Sequence, residues 1–396
     1  MTKEIALSQS QPDQASRMIA GHPRLADHSA DGRMLWLTAM ALIVGTGGAI
    51  SAWALVHLIA LVTNLAWFGR LSATSVSIQD AASSPLMLVI PVVGALVIGL
   101  MARFGSEKIR GHGIPEAIET ILYGQSRLSL KVAILKPISS AISIGSGGPF
   151  GAEGPIIMTG GAIGSLFAQC FSLTAAERKT LLVAGAAAGM TGIFGTPVAA
   201  VLLAVEVMLF EWKPRSLVPV VVASLVSLAW RPLLIGSGAL FPMTTHVSPD
   251  IATLIFAVLI GFVGGGLAII LSLGLYRIED VFHRIPLHWM WWPALGAVVV
   301  GIGGLIEPRV LGAGYGNIQD LMNGSFALRA VLVLMICKSV VWLVALGSGT
   351  SGGILAPLLI IGGALGAAVG FWLPIGPSVG AMFGMIAVMS GAMRAL

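Results

Sequence analysis

The residue best placed to do chemistry in this chain is Glu153, in the run Gly145-Ser-Gly-Gly-Pro-Phe-Gly-Ala-Glu-Gly-Pro155. It is the one acidic group in a long apolar region. A carboxylate at the centre of a bilayer costs about 2.5–3.5 kcal/mol on insertion scales, so its presence there needs a reason. Pro155 suits the first turn of a helix, which puts Glu153 at a helix start. Free N–H groups and the helix dipole favour negative charge at that place by about 0.3–2 kcal/mol. The same amides would hold a halide equally well. The alternative role is a plain helix cap.

The run is written twice. Lys136, Gly145, Ser146, Gly147, Gly151, Pro155, Gly160, Gly161, Ala162 and Gly164 recur, 202 residues on, as Lys338, Gly347, Ser348, Gly349, Gly353, Pro357, Gly362, Gly363, Ala364 and Gly366. The second copy, Gly352-Gly-Ile-Leu-Ala-Pro357, predicts another helix start but has no charge opposite Glu153. A third start is Gly111-His-Gly-Ile-Pro115-Glu116, with a weaker echo at Gly312-Ala-Gly-Tyr-Gly316. Glycine lets an ion approach the main chain closely. Each break alone is more often a site of close helix packing. Broken helices at matching places in two halves point to a substrate site between repeats.

The elements that must position these residues are membrane helices. Of 396 residues 56% are hydrophobic and 10% charged, with a mean hydropathy of +0.94. Ordinary soluble domains carry about 25% charge. Apolar runs predict helices near 34–68, 85–104, 130–146, 154–171, 179–194, 197–211, 217–230, 251–277, 291–306, 328–346, 355–373 and 377–393. Several are shorter than the roughly 20 residues that span a bilayer, so they must be buried in protein or face water. The first run either crosses with heavy tilt or breaks at Gly45–Gly48. The expected organisation is a tail at 1–33, a first repeat at 34–216, a connecting helix and loop at 217–250, and a second repeat at 251–396.

Basic residues beside the spans put the tail (Lys3, Arg17, Arg24, Arg33) and the 103–110 loop in the cytoplasm, and 70–84 outside. The net charge of +5 therefore reads as topology, not nucleic-acid binding. Cys170 and Cys337 have no metal-ligand spacing, and no metal or cofactor is expected. Trp67–Phe68 and the stretch from His288 through Trp292 read as interfacial anchors; Arg277, Glu279 and Arg284 read as a solvated loop end. Lys338 reads as structural.

On these motifs the chain resembles the CLC chloride channels and transporters from about residue 34 to the end. The family patterns GSGIP, GREGP and GIFAP correspond to Gly111-His-Gly-Ile-Pro115, Gly151-Ala-Glu-Gly-Pro155 and Gly353-Ile-Leu-Ala-Pro357. The resemblance implies an all-α, polytopic CLC fold with two inverted-topology repeats, in a multi-pass protein of the inner or plasma membrane. It implies a homodimer with one pore per subunit, carrying chloride or another halide. In that reading Glu153 is the gate, displaced when protonated. Gly353 and the amides of Ile354 and Leu355 line a central anion site, and those of Gly154, Ile156 and Ile157 an outer one. His112 and Gly113 stand at the pore serine's place, and Lys136 supports the pore.

Three positions depart from the pattern. His112 replaces the pore serine, Ala152 replaces the arginine of GREGP, and Val207 fills the place of the inner glutamate of proton-coupled members. Glu206, one residue earlier, is the candidate for a proton path. Chloride/proton or fluoride/proton exchange is the alternative to channel-like transport. The second half reaches Gly391-Ala-Met-Arg-Ala-Leu396 where the first reads Gly192-Ile-Phe-Gly-Thr-Pro197, so a further helix is predicted past Leu396. The expectation is a prokaryotic-type member without C-terminal CBS domains and with its closing helices missing. Those helices bear a tyrosine on the central ion, which none of Tyr123, Tyr276 and Tyr315 matches by motif. Two rivals are weighed. A sodium-coupled inverted-repeat carrier would want carboxylates or hydroxyl clusters for a cation. An intramembrane serine protease is suggested by Gly349-Thr-Ser351-Gly-Gly353 but finds no histidine after His288.

Overall fold

The computed structural model describes residues 32–81, 85–242 and 250–393, and regular structure within them is helical. Most of the tail expected at 1–33 lies outside the described residues. Fourteen α-helices are described: α1 Gly32–Phe68, α2 Leu86–Phe104, α3 Ile114–Leu122, α4 Leu130–Gly145, α5 Glu153–Gln169, α6 Ala175–Phe194, α7 Pro197–Ala204, α8 Pro214–Leu234, α9 Ile251–Arg284, α10 Trp292–Ile306, α11 Tyr315–Met322, α12 Leu328–Gly347, α13 Leu355–Gly370 and α14 Gly376–Met393. Seven helical stretches among the described residues are long and apolar enough to cross a membrane. The protein is a multi-pass, all-α membrane protein.

Helices α1–α6 and α9–α14 each run as one very long helix (37 or 34 residues), one medium (19 or 15), one short (9 or 8) and three of 16–20 residues, and the packing repeats as well. Close approach between α5 and α6 rests on glycine: a Cβ on Gly160 would come within 2.3 Å of the Gly185 carbonyl, and one on Gly185 within 2.2 Å of the Gly160 carbonyl. Between α13 and α14 the same holds for Gly362 against the Gly384 carbonyl (2.4 Å) and Gly366 against the Gly380 carbonyl (1.9 Å). Lipid offers no hydrophobic drive between helices, so van der Waals packing of bare backbones does the work.

Some expectations are corrected. Helix α1 is unbroken for 37 residues, about 55 Å long at the usual rise. Gly45 and Gly48 do not break it; they seat it against Ala223 of α8 and Ala188 of α6. Arg277, Glu279 and Arg284 belong to the last turns of α9, not to a loop. Helix α8 runs straight through the expected boundary at 216/217. Trp67 is buried and donates from Nε1 to the Gly145 carbonyl at 2.9 Å; Trp292 is buried and donates to Leu287 O at 3.0 Å. Trp67 thus ties α1 to the end of α4 and Trp292 holds the loop ahead of α10, whereas Trp291 remains exposed.

Candidate functional site

The two glycine-rich breaks meet each other. Gly151 N donates to Gly353 O at 3.1 Å and Gly353 N donates to Gly151 O at 2.9 Å. These residues are repeat equivalents (353 − 151 = 202), so the reciprocal bridge fits a two-fold relation between the halves. From this bridge α5 and α13 run outward, with their N-termini side by side.

Two buried lysines fix the approaches. Lys136 Nζ donates to the carbonyls of Ile109 (2.9 Å), Arg110 (3.3 Å) and Gly111 (2.9 Å). Lys338 Nζ donates to Val310 O (2.8 Å) and Gly312 O (3.0 Å). Each lysine thus holds the short turn leading into α3 or α11. An ammonium satisfied by carbonyls is tolerated in the interior, where an unpaired one would not be.

Glu153 is fully buried at the first turn of α5. Its Oε1 accepts a hydrogen bond from the Tyr315 hydroxyl at 3.1 Å, while Oε2 is buried without a hydrogen-bond partner. The carboxylate also feels the main-chain N–H of Ala356, in the first turn of α13. It lies where side chains of the bridge would be: a Cβ on Gly151 would fall 1.8 Å from Oε2, and one on Gly353 2.9 Å from it. The charge therefore lies at the positive ends of two helices at once, its oxygens standing where an anion would be held.

The glycines expected at the site converge. Gly113, at φ +95°, presses on Gly154, where an added Cβ would meet Gly154 O at 2.6 Å. A Cβ on Gly154 would meet His112 O at 1.8 Å and the Gly353 Cα at 3.2 Å. His112 is half-buried and its Nδ1 has no hydrogen-bond partner. The α3 terminus carries its own cap, with Gly113 N donating to Glu116 Oε2 at 2.8 Å.

Helix geometry sorts the amides. Ile156 N donates to Ala152 O at 3.0 Å, and Leu358 N to Ile354 O at 3.2 Å. Pro155 and Pro357 have no N–H. The N–H groups ahead of those bonds, on Glu153 and Gly154 in α5 and on Ile354, Leu355 and Ala356 at α13, are the ones that a helix leaves unpaired. Ile156 and Ile157 are buried behind them.

Sequence reasoning missed Tyr315, which reaches Glu153 across 162 residues. The signal available was its place in the weaker glycine-rich echo at 312–316. Glu206 lies on a π-helical turn, Val205–Leu209, and is exposed. Val207 instead lines a small apolar pocket with Ile114, Ile157, Met190, Leu203 and Met393. Ser351 is buried and shares hydrogen bonds with Ser140 (3.0 Å) and Ser139 (3.3 Å), a link between halves with no histidine at it.

Comparison with known proteins agrees with this geometry. Residues 93–396 match the family model described as voltage gated chloride channel. The chain is 30% identical over 358 residues to the voltage-gated ClC-type chloride channel ClcB of Salmonella dublin, covering 87% of this chain and 84% of that one. It is 30% identical over 331 residues to the H(+)/Cl(-) exchange transporter ClcA of Vibrio campbellii, covering 78% and 70%. Among solved structures, a CLC-type fluoride/proton antiporter superposes with a TM-score of 0.76 at 21% identity, over 93% of this chain and 89% of that one. These matches and the paired helix N-termini define a membrane transport protein of the inverted-repeat class. The chain belongs to the voltage-gated chloride channel (CLC) family, whose members are channels and transporters.

Proposed function

We propose that the protein carries chloride or a related halide across a membrane, with Glu153 as its gate. The observation that supports this is the position of the Glu153 carboxylate at the N-termini of both α5 and α13, where an anion would be coordinated. When protonated, the side chain loses its attraction to those amides, and a halide takes the place. Gly154 with the Glu153 amide forms the outer site in this reading, in place of the Ile156 amide, which is bonded to Ala152 O within the helix, and of Ile157, buried behind it. Gly353, Ile354 and Leu355 line the central site. His112 and Gly113 border the inner end, and Lys136 holds the loop that carries them.

The apolar surroundings of Val207 and the exposure of Glu206 favour anion movement without tight proton coupling. Exchange as in the ClcA relative is the second reading, favoured by its similarity alone. We also propose a homodimer in a bacterial inner or plasma membrane, with Arg33 and the 103–110 loop on the cytoplasmic side.

The test is chloride efflux from liposomes with Glu153→Ala and Glu153→Gln. Both variants are expected to keep or raise flux and to lose its dependence on pH. A pH profile unchanged in both removes Glu153 from gating. Reversal potentials under combined chloride and pH gradients then separate channel from exchanger: a potential that ignores the proton gradient supports the first reading.

A further inference from the structure

We infer that Tyr315 is the positioning residue of the gate: its hydroxyl latches the ionised Glu153 carboxylate in the closed place and lets the protonated one go. This rests on the gate reading of Glu153 above. Tyr315 opens α11, in the half of the molecule opposite to Glu153. Its approach is fixed, since Gly314 adopts φ +71° and the preceding Gly312 carbonyl is held by Lys338. The ring is wedged by Phe194 at 6.4 Å and 88° and by Phe241 at 6.1 Å and 55°. A side chain so confined brings its hydroxyl to one place with little freedom left to lose.

The direction of the hydrogen bonds follows from the partners. Ala152 N donates to Tyr315 Oη at 3.2 Å. The hydroxyl proton then points to Glu153 Oε1 at 3.1 Å. A tyrosine so placed is a donor to the carboxylate, and a bond to an ionised acceptor is roughly twice as strong as one between neutral groups. Protonation of Glu153 weakens it, so the latch discriminates between the two states of the gate. Because Oε2 has no hydrogen-bond partner, Tyr315 is the only side chain bonded to the carboxylate among the described residues.

Other titratable groups lie on the surrounding elements. Glu116 caps α3, Lys136 and Lys338 hold carbonyls, and His112 precedes α3. None of them acts on the Glu153 carboxylate. The ring alone satisfies the packing against Phe194 and Phe241, so phenylalanine keeps the ring and removes the hydroxyl, which leaves both the Glu153 carboxylate and the Ala152 N–H without that partner.

The experiment is liposome chloride efflux from pH 4 to 8 for wild type, Tyr315→Phe, Glu153→Ala and the double variant. Tyr315→Met is carried alongside, in case the phenylalanine variant fails to fold. Tyr315→Phe is expected to raise flux near neutral pH by up to roughly tenfold, the loss of about 1.4 kcal/mol from the closed state. The acid-activation midpoint is expected to move to higher pH, because less acid then releases the gate. In the Glu153→Ala background the same substitution is expected to be silent. Wild-type flux and midpoint in Tyr315→Phe overturn the latch while leaving the gate intact. So does an equal change with and without Glu153, which assigns Tyr315 to packing. If Glu153→Ala itself keeps the wild-type pH profile, the gate reading falls, and the latch falls with it.

Discussion

The first and second breaks have one backbone and two chemistries. Around Gly145–Pro155 and Gly347–Pro357 the chain makes the same turn, the same bridge glycine and the same helix start, each with a buried lysine holding the neighbouring loop. Only the first puts a carboxylate at its helix start; the matching place in the second is Leu355. The symmetric frame builds a paired electropositive end, and function enters where the symmetry is broken. In the proposed reading, an anion site made of amides needs both copies, whereas a gate needs a charge in one.

Substitution at the bridge should break this comparison most strongly, because its two glycines are equivalent by repeat but not by surroundings. An added Cβ on Gly353 meets a backbone oxygen, Gly151 O, at 2.6 Å, which cannot move aside without parting the halves. Gly353→Ala is expected to destabilise the protein by several kcal/mol, read as loss of monodisperse protein in detergent. On Gly151 the obstacle is the end of the Glu153 side chain, which can turn aside where a backbone oxygen cannot. Gly151→Ala is expected to fold and to expel the gate, giving flux like that of Glu153→Ala. Equal behaviour of the two alanine variants would contradict the asymmetry.

The lysines come next. Replacing Lys136 or Lys338 by Met leaves buried carbonyls without a donor, at about 1–3 kcal/mol for each unsatisfied group. Both variants are expected to melt at lower temperature by fluorescence-detected unfolding. Lys136→Met should also alter transport, since its loop carries His112 and Gly113. His112→Ser is expected to leave stability alone and change permeability ratios among chloride, bromide and iodide. Identical ratios would make His112 a loop residue.

The smallest effect lies at the end of the helical body, ahead of the apolar run of α6. There Glu177 accepts from Arg33, and from Arg215 at 3.0 Å. The Arg33 hydrogen bond, with help from Thr174 and against burial, holds the Glu177 carboxyl at about 2, below the usual carboxylate range. A lowered value stabilises the fold above the unfolded pKa of about 4.3, and that stability is lost as pH falls from there toward 2. Melting temperature is expected to drop between pH 5 and 3, and Arg33→Ala to flatten the drop.

Much of this was legible because it is local. Proline and glycine punctuate each helix start, so Glu153, Gly353 and the spans were placed from the chain alone, and the duplicated motif announced the two halves. What was not legible depends on distant partners. Nothing near Tyr315 in sequence tells of Glu153; a left-handed glycine and a lysine in the next helix aim it there. Trp67 and Trp292 looked like lipid anchors because a tryptophan at a span end carries no mark of the carbonyl that will take its N–H. The π turn at Val205–Leu209 shifts the facing of Glu206 and Val207 in a way that a 3.6-residue period does not anticipate.

The reciprocal pair of main-chain bonds between Gly151 and Gly353 has an evolutionary corollary. Each partner is the other's duplicate, so one ancestral half docking upside-down on a copy of itself would already own both sides of the clasp. Gene fusion would then need to add only a linker, and a charge placed on one side alone would leave the clasp itself intact.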